Sequence, residues 1–417
     1  MNVVGAKALY EHLRYCAEKS PYYRSRIDIT GLTQENASDL LRSMLFTSKA
    51  DLEAHNDDLR AVPMREIVDI VMSSGTTGKP TKVFYTQRDL DRLAYNEKVS
   101  FEGCGITADD IVLLTCTIDR CFIAGLAYYL GLKAVGAAVI RNGHGTMQGH
   151  LQMLLAHHPT VIVGVPTFVR KLAEYVASRG YEPTSFGIAK VVCIGEPLRD
   201  KDMQPLTVTS DIERLWGCKT YSTYASSETI TTFCECSAQA GGHLIPELAV
   251  VEIVDDEGYP VHAGCAGEVV VTPLAIEGMP LIRFRTGDIS FLIDEPCACG
   301  RSSVRLGPII GRKNQMLKVK GTTVYPQAIF DALSQIGDVD DYYVVVHSDD
   351  TLSDAVSVHI SLRGTATNVD DVAEHLQAAI RVRPAVVVED VSVLRHKVYD
   401  PQSRKPLRFF DMRTKSV

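Results

Sequence analysis

Glu66-Ile67-Val68-Asp69-Ile70-Val71-Met72-Ser73-Ser74-Gly75-Thr76-Thr77-Gly78-Lys79-Pro80 is an apolar strand that runs straight into small, hydroxylated and glycine residues. Glycine lets a backbone approach phosphate oxygens closely, hydroxyls and amide hydrogens donate to them, and Lys79 adds positive charge, so Ser73–Lys79 reads as a polyphosphate cradle. It is not the Walker loop, which would need Gly at 73 and Ser or Thr at 80, where Ser73 and Pro80 stand. The blander reading of the same residues is a flexible Gly/Thr surface turn.

Outward from this loop, short apolar runs at 66–72, 111–116, 134–140, 160–165 and 189–194 read as strands, while 150–157 and 168–178 carry helical spacing. Strand and helix in alternation imply a parallel, helix-covered sheet. Between 248 and 294 strands broken by turns read as an antiparallel, β-rich appendage. From about 315, runs at 342–346 and 356–362 with helices near 326–336 and 370–382 read as a small α+β domain. A chain of 417 residues exceeds what one core organises. The expected class is α/β: a large N-terminal domain over 1–313 and a small α+β C-terminal domain over 314–417.

The net charge of −8 argues against nucleic acid as a partner, because phosphate backbones are gripped by excess Lys and Arg. Apolar runs fall short of a membrane span, and the opening Met1-Asn2-Val3-Val4-Gly5 lacks the marks of a secretory signal. A cytoplasmic location is expected, with the 11 cysteines as thiols or metal ligands rather than disulfides.

Further along stand Ile194-Gly195-Glu196-Pro197, Tyr224-Ala225-Ser226-Ser227-Glu228, Arg283-Phe284-Arg285-Thr286-Gly287-Asp288, Gly311-Arg312 with Met316-Leu317-Lys318-Val319-Lys320-Gly321, and Arg404-Lys405-Pro406-Leu407-Arg408. With the phosphate loop, and in this order, they resemble the motifs of the adenylate-forming superfamily of acyl-CoA synthetases and adenylation domains, and within it the phenylacetate-CoA ligase family. The resemblance implies that Ser73–Lys79 cradle ATP, Gly195, Glu196 and Pro197 border the adenine, and Tyr224 and Ala225 flank it. It implies that Ser226 lies in the nucleotide site, Ser227 reaches the phosphate, Glu228 binds Mg²⁺, Asp288 accepts from the ribose hydroxyls, and Arg312 completes the nucleotide site. A flat ring suits a purine, a carboxylate accepts from two vicinal hydroxyls, and Mg²⁺ prefers oxygen donors. Lys405, supported by Lys79, becomes the adenylation lysine, with Lys397 and Lys415 its neighbours on a basic tail; the C-terminal domain becomes a mobile lid turning near Asn314.

The implied reaction is ATP-dependent adenylation of an organic acid, aromatic or arylacetic, followed by transfer of the acyl group to coenzyme A. Transfer to a carrier protein or an amine is the neighbouring alternative, and a non-catalytic nucleotide-binding regulator the alternative from another class. A homodimer is compatible with the resemblance; a membrane partner is not expected.

The chain departs from the family at Asn314-Gln315, Ala225, Lys320 and Arg404, and has Thr117-Ile118-Asp119-Arg120-Cys121 where phenylacetate enzymes carry mostly aromatic and glycine residues, which points away from phenylacetate itself. Acyl-pocket candidates are Phe122, Ile123, Ala124, Gly125, His144 and Gly145, beyond the ends of strands 111–116 and 134–140. Asp119 and Arg120 read equally as contacts to a polar substituent or as a surface pair. Finally, Cys297-Ala298-Cys299-Gly300-Arg301 resembles a Cys-x-Cys-Gly-Arg element of phenylacetate-CoA ligase relatives, with Cys234, Cys236 and His243 upstream. Cys236, His243, Cys297 and Cys299 would make a closed, structural Zn²⁺ site, Cys234 being the spare; ordinary thiols are the other reading.

Overall fold

The structure, a computed structural model, describes residues 3–73, 81–143, 145–319, 322–348, 353–364, 367–399 and 406–413. The chain divides into two units, Met1–Thr286 with Ser290–Ile309, and Gly287–Ile289 with Ile310–Val417.

In the first unit β1 (Ile67–Met72) pairs antiparallel with β2 (Lys82–Thr86) in a two-stranded sheet. The run 66–72, read above as part of the parallel set, is corrected here. The connection 73–81 is too short for the crossover that parallel pairing needs and returns the chain as an antiparallel neighbour. The strands β3 (Ile111–Leu114), β4 (Ala138–Arg141), β5 (Val161–Gly164), β6 (Lys190–Ile194) and β7 (Lys219–Ser226) are parallel, in spatial order β4-β3-β5-β6-β7. The expected strand 134–140 starts late, because helix Ile123–Val135 occupies its first residues and ends at Gly136, whose φ of 95° only glycine adopts readily.

Beyond β7 the same sheet turns antiparallel. β8 (Thr231–Cys234) and β9 (Gly242–His243) continue it; β10 (Ala249–Val254), β11 (Gly267–Pro273) and β12 (Phe284–Ser290) leave it; β13 (Leu292–Ile293) and β14 (Arg305–Leu306) complete a nine-stranded order β13-β14-β9-β8-β7-β6-β5-β3-β4. β10 and β11 pair from Ala249↔Pro273 to Val254↔Glu268, the β-rich appendage expected from the turn spacing. The inner strands β3, β5 and β6 are buried on both faces, β5 throughout, while the edge strand β4 is exposed at Ala138 and Arg141. Helix Pro166–Ser178 covers it with the stripe Val169, Leu172, Ala173 and Val176, and Trp216 locks that stripe by donating from Nε1 to the Val169 carbonyl at 3.2 Å.

In the second unit β15 (Gly311–Arg312) precedes the hairpin β16 (Leu317–Val319) and β17 (Thr322–Val324). A four-stranded sheet follows from β18 (Val339–Ser348), β19 (Asp354–Leu362), β20 (Ala385–Val388) and β21 (Phe409–Asp411), in order β20-β19-β18-β21. Helices Pro326–Ser334 and Val369–Ile380 bury Ile329, Leu333, Val372 and Leu376 against Val344, Val346, Val358 and Ile360. Helix Val391–Val398 packs Leu394 and Val398 on Tyr343. No helix among the described residues is long and apolar enough to cross a membrane.

Gly125 sits where helix Ile123–Val135 meets the loop behind β3, and a Cβ there would lie 2.0 Å from the Thr117 carbonyl oxygen; at Gly337 it would meet nothing within 4 Å. Gly125→Ala is expected to destabilise the protein by about 1–3 kcal/mol in urea unfolding, as overpacking does. Gly337→Ala should stay within about 0.5 kcal/mol of the parent.

Candidate functional site

The carboxyl ends of β6 and β7 lie side by side, which is where open parallel sheets gather ligands. β6 delivers Gly195, Glu196 and Pro197. The Glu196 carboxylate accepts from the Thr167 backbone N–H at 3.0 Å and hydroxyl at 2.8 Å, and so is committed to the N-terminus of helix Pro166–Ser178, where negative charge is favourable. β7 ends in Tyr224, Ala225 and Ser226; the half-buried Tyr224 ring stacks on Phe233 at 6.1 Å and 16°, while Ala225 is exposed.

The chain then turns. Ser226 Oγ accepts from the Thr229 N–H at 3.2 Å, and the Ser227 carbonyl accepts from the Tyr85 hydroxyl at 2.8 Å. Glu228 is half-buried at this turn. Burial, then the Glu228 and Asp69 carboxylates, push the Tyr85 hydroxyl well above its ordinary range, so Tyr85 stays a donor. The Gly/Thr segment connects β1 to β2. Its neck is closed by Ser73 N–H donating to the Thr81 carbonyl at 2.9 Å and by Ser73 Oγ 3.0 Å from Thr81 Oγ1. Ser74, Gly75, Thr76, Thr77, Gly78 and Lys79 lie outside the described residues, as do His144, Lys320, Arg404, Lys405 and Lys415.

Of the acyl-pocket candidates, Phe122 lines a cavity of about 300 Å³ shared with Val68, Asp69, Ile70, Leu90, Ile118 and Cys121. Ile123 is buried in the core, Ala124 packs partly buried, Gly125 serves helix packing, and a Cβ at Gly145 would meet Asn142 Nδ2 at 2.6 Å. In the second unit the strand partners Asp288 and Arg312 form an ion pair at 3.1 Å, and Asn314 lies in the turn Lys313–Gln315.

Sequence reasoning missed the polar face of helix Gln87–Gly103. Asn96 forms a reciprocal pair with the backbone of Thr232, donating at 3.0 Å and accepting at 2.9 Å, and the Thr232 hydroxyl donates to Glu97. Arg92 donates to the carbonyls of Ile230, Leu248 and Leu274 and to Thr231 Oγ1. The signal is polar residues at i, i+4 and i+5, helical spacing that puts them on one face.

Behind β8, Cys236, His243, Cys297 and Cys299 place their donor atoms within 4.8 Å of one another. Cys236 Sγ is 3.6 Å from Cys297 Sγ, and Cys299 Sγ is 3.4 Å from His243 Nε2. A tetrahedral ion with bonds of about 2.3 Å to sulfur and about 2.0 Å to nitrogen holds its donors roughly 3.5–3.8 Å apart, so the set fits zinc. His243 Nδ1 lies 2.9 Å from Ser303 Oγ, which leaves Nε2 facing the sulfurs. Burial, with Arg301 and Arg305 nearby, lowers the imidazole to about 4 and keeps it neutral. Arg301 also donates to the Val99 carbonyl at 3.4 Å, in the last turn of helix Gln87–Gly103.

A parallel α/β sheet with a carboxylate-bearing turn at its strand ends is the setting in which nucleotide-handling enzymes place their ligands. The chain belongs to the AMP-binding enzyme family, whose pattern it matches over residues 4–274, with the C-terminal domain of AMP-binding enzymes matched over 321–413. It is 33% identical to phenylacetate-coenzyme A ligase of Thermus thermophilus over 90% of this chain and 86% of that protein, and 27% identical to the Escherichia coli enzyme over 96% and 92%. Its fold matches the crystal structure of 2-hydroxyisobutyryl-CoA ligase in the postadenylation state with a TM-score of 0.85, at 21% identity over 98% of this chain and 88% of that one.

Burial pushes the Glu97 carboxyl up to about 8 against the opposing Thr232 hydrogen bond. The folded protein then holds a proton that the unfolded chain releases near 4.5, so this contribution to stability is full below pH 4.5, declines as pH rises, and is lost above about pH 8. Calorimetry of the parent and Glu97→Gln between pH 5 and 8.5 should show the variant gaining on the parent as pH rises; parallel curves would refute it.

Proposed function

We propose that this chain activates a carboxylic acid with ATP, forming an acyl-AMP and pyrophosphate, and then transfers the acyl group to coenzyme A. The observation that carries this is the similarity to phenylacetate-coenzyme A ligases, which runs through both matched domains and over 90% of the chain. The acid is aromatic or arylacetic: the relatives' own names support this, and the cavity lined by Phe122, Ile118, Leu126 and Asp69 offers apolar side chains beside a carboxylate.

Adenylation asks the protein for positioning and charge stabilisation while the acid carboxylate displaces pyrophosphate from the α-phosphate. Tyr224, held flat by Phe233, offers a face for the adenine. Ser227 presents its hydroxyl to the α-phosphate, and Asp288 accepts from the ribose with Arg312 beside it. Glu228 supplies a hard oxygen ligand for Mg²⁺, which when bound neutralises charge developing on the phosphates. Lys79 and Lys405 bring positive charge to the same oxygens. Asn314 serves as the pivot that withdraws Lys405 before the thiol attacks, a gating step that protects the anhydride from water.

Cys236, His243, Cys297 and Cys299 hold a structural zinc ion, with no ligand position left for substrate. The eleven cysteines are all free, which suits a reducing, cytoplasmic compartment.

Acid-dependent ATP–pyrophosphate exchange across aryl and arylacetic acids should show activity with at least one acid. Lys405→Ala should lower it about 10²–10³-fold, the cost of removing one preorganised charge-stabilising donor; exchange surviving intact in that variant removes the assignment. Elemental analysis should find about one zinc per chain, and chelation should lower the melting temperature. Protein free of zinc with an unchanged melting temperature after chelation would count against the metal site.

A further inference from the structure

Helix Gln87–Gly103 carries a group that stability alone explains poorly. Arg92 is 7% exposed, and its four acceptors are the carbonyls of Ile230, Leu248 and Leu274 and the Thr231 hydroxyl, none of them a carboxylate. The buried Asp89 carboxylate on the same helix attracts the guanidinium and offsets part of its desolvation; an apolar side chain of similar volume would commonly stabilise the fold as well. What the guanidinium does that an apolar group cannot is fix three separate backbone segments in one plane by directed donors. One of these is the end of the turn that carries Glu228. There Ile230 has φ 50°, a left-handed conformation that a β-branched residue holds only under constraint. Its carbonyl accepts from Arg92 Nη1, and the other side of the turn is tied through the Ser227 carbonyl to Tyr85.

We propose that Arg92 is a positioning residue for adenylation, clamping the 226–230 turn so that Glu228 is presented to the phosphate-bound metal ion in one geometry. The inference rests on the reading of Glu228 as the Mg²⁺ ligand. Arg92 touches neither substrate nor metal; it acts through the backbone of the turn.

The test uses full-length Arg92→Met, Arg92→Lys, Glu228→Gln and the double variant Arg92→Met/Glu228→Gln. Pyrophosphate exchange is followed across a Mg²⁺ titration, with thermal unfolding alongside to separate loss of fold from loss of geometry. Arg92→Met should raise the half-saturating Mg²⁺ at least about tenfold, since small displacements of a catalytic group carry large rate penalties. Arg92→Lys keeps the charge but not the fork and should fall between. The double variant should need no more Mg²⁺ than Glu228→Gln alone. Folded Arg92→Met with the parent's Mg²⁺ requirement, or losses that add in the double variant, would overturn the proposal. Should Arg92→Met fail to fold, Arg92→Lys alone and combined with Glu228→Gln decides by the same two criteria. Glu228→Gln with an unchanged Mg²⁺ requirement removes the metal assignment and this inference with it; a changed Glu228→Gln beside an unchanged Arg92→Met removes the inference only.

Discussion

The passage from β7 into β8 is the constraint on which this molecule turns. The sheet changes from parallel to antiparallel there, within the few residues that also carry Ser227 and Glu228. A reversal this tight strands backbone groups in the interior, and such groups must find partners or cost free energy comparable to a lost hydrogen bond. Helix Gln87–Gly103 supplies them. Its Asn96 amide stands in for a neighbouring strand at Thr232, and Arg92 caps the carbonyl of Ile230. The polar face of one helix thus sets the register of the strand that leads from the proposed catalytic turn to the Cys/His cluster.

That helix is itself held at both ends. At its start Asp89 caps the first turn and accepts from the N–H groups of Glu277 and Gly278, at 2.7 and 2.8 Å. Near its end Arg301, from the Cys-x-Cys-Gly-Arg segment, donates to the Val99 carbonyl. The two proposed sites are therefore opposite ends of one piece of scaffolding, and neither is an isolated graft on a surface loop. The segment carrying the cysteine cluster thus contacts a helix whose polar face also holds the Ile230 carbonyl at the end of the 226–230 turn.

The inner strands of the parallel half were legible because four or five consecutive apolar residues, buried on both faces, leave little else to be. The motif residues stood out because phosphate and purine chemistry restricts which side chains serve, and the fold sets Gly195 and Tyr224 at the carboxyl ends of β6 and β7. The pairing of β1 was not, since a partner is fixed by the length of the connection and by tertiary closure rather than by the strand's own composition. Glu196 reads as part of an adenine-bordering segment, and only the fold reveals its tie to Thr167. Arg92, Asn96 and Glu97 escaped notice because polar residues on a helix read as solvated unless something outside the helix says which face is buried. Cys236 reads as the metal ligand with Cys234 in reserve, and the structure separates the two. β8 ends at Cys234, which turns instead toward Cys104 at 3.5 Å, and only Cys236 joins the cluster.

The cysteine cluster also has a schedule. Cys236 and Cys297 lie 61 residues apart, so the proposed zinc ion would close a long loop and remove much freedom from the unfolded chain. A chain made from its N-terminus has finished the parallel strands, helix Gln87–Gly103 and β8 well before Cys297 and Cys299 leave the ribosome. The antiparallel border of the sheet then ends at β9, already paired to β8, with its other side open until β14 (Arg305–Leu306) is made. A nascent chain stalled short of residue 297 carries an open sheet edge, and the moment of greatest risk for misassembly falls between two cysteines rather than between two domains.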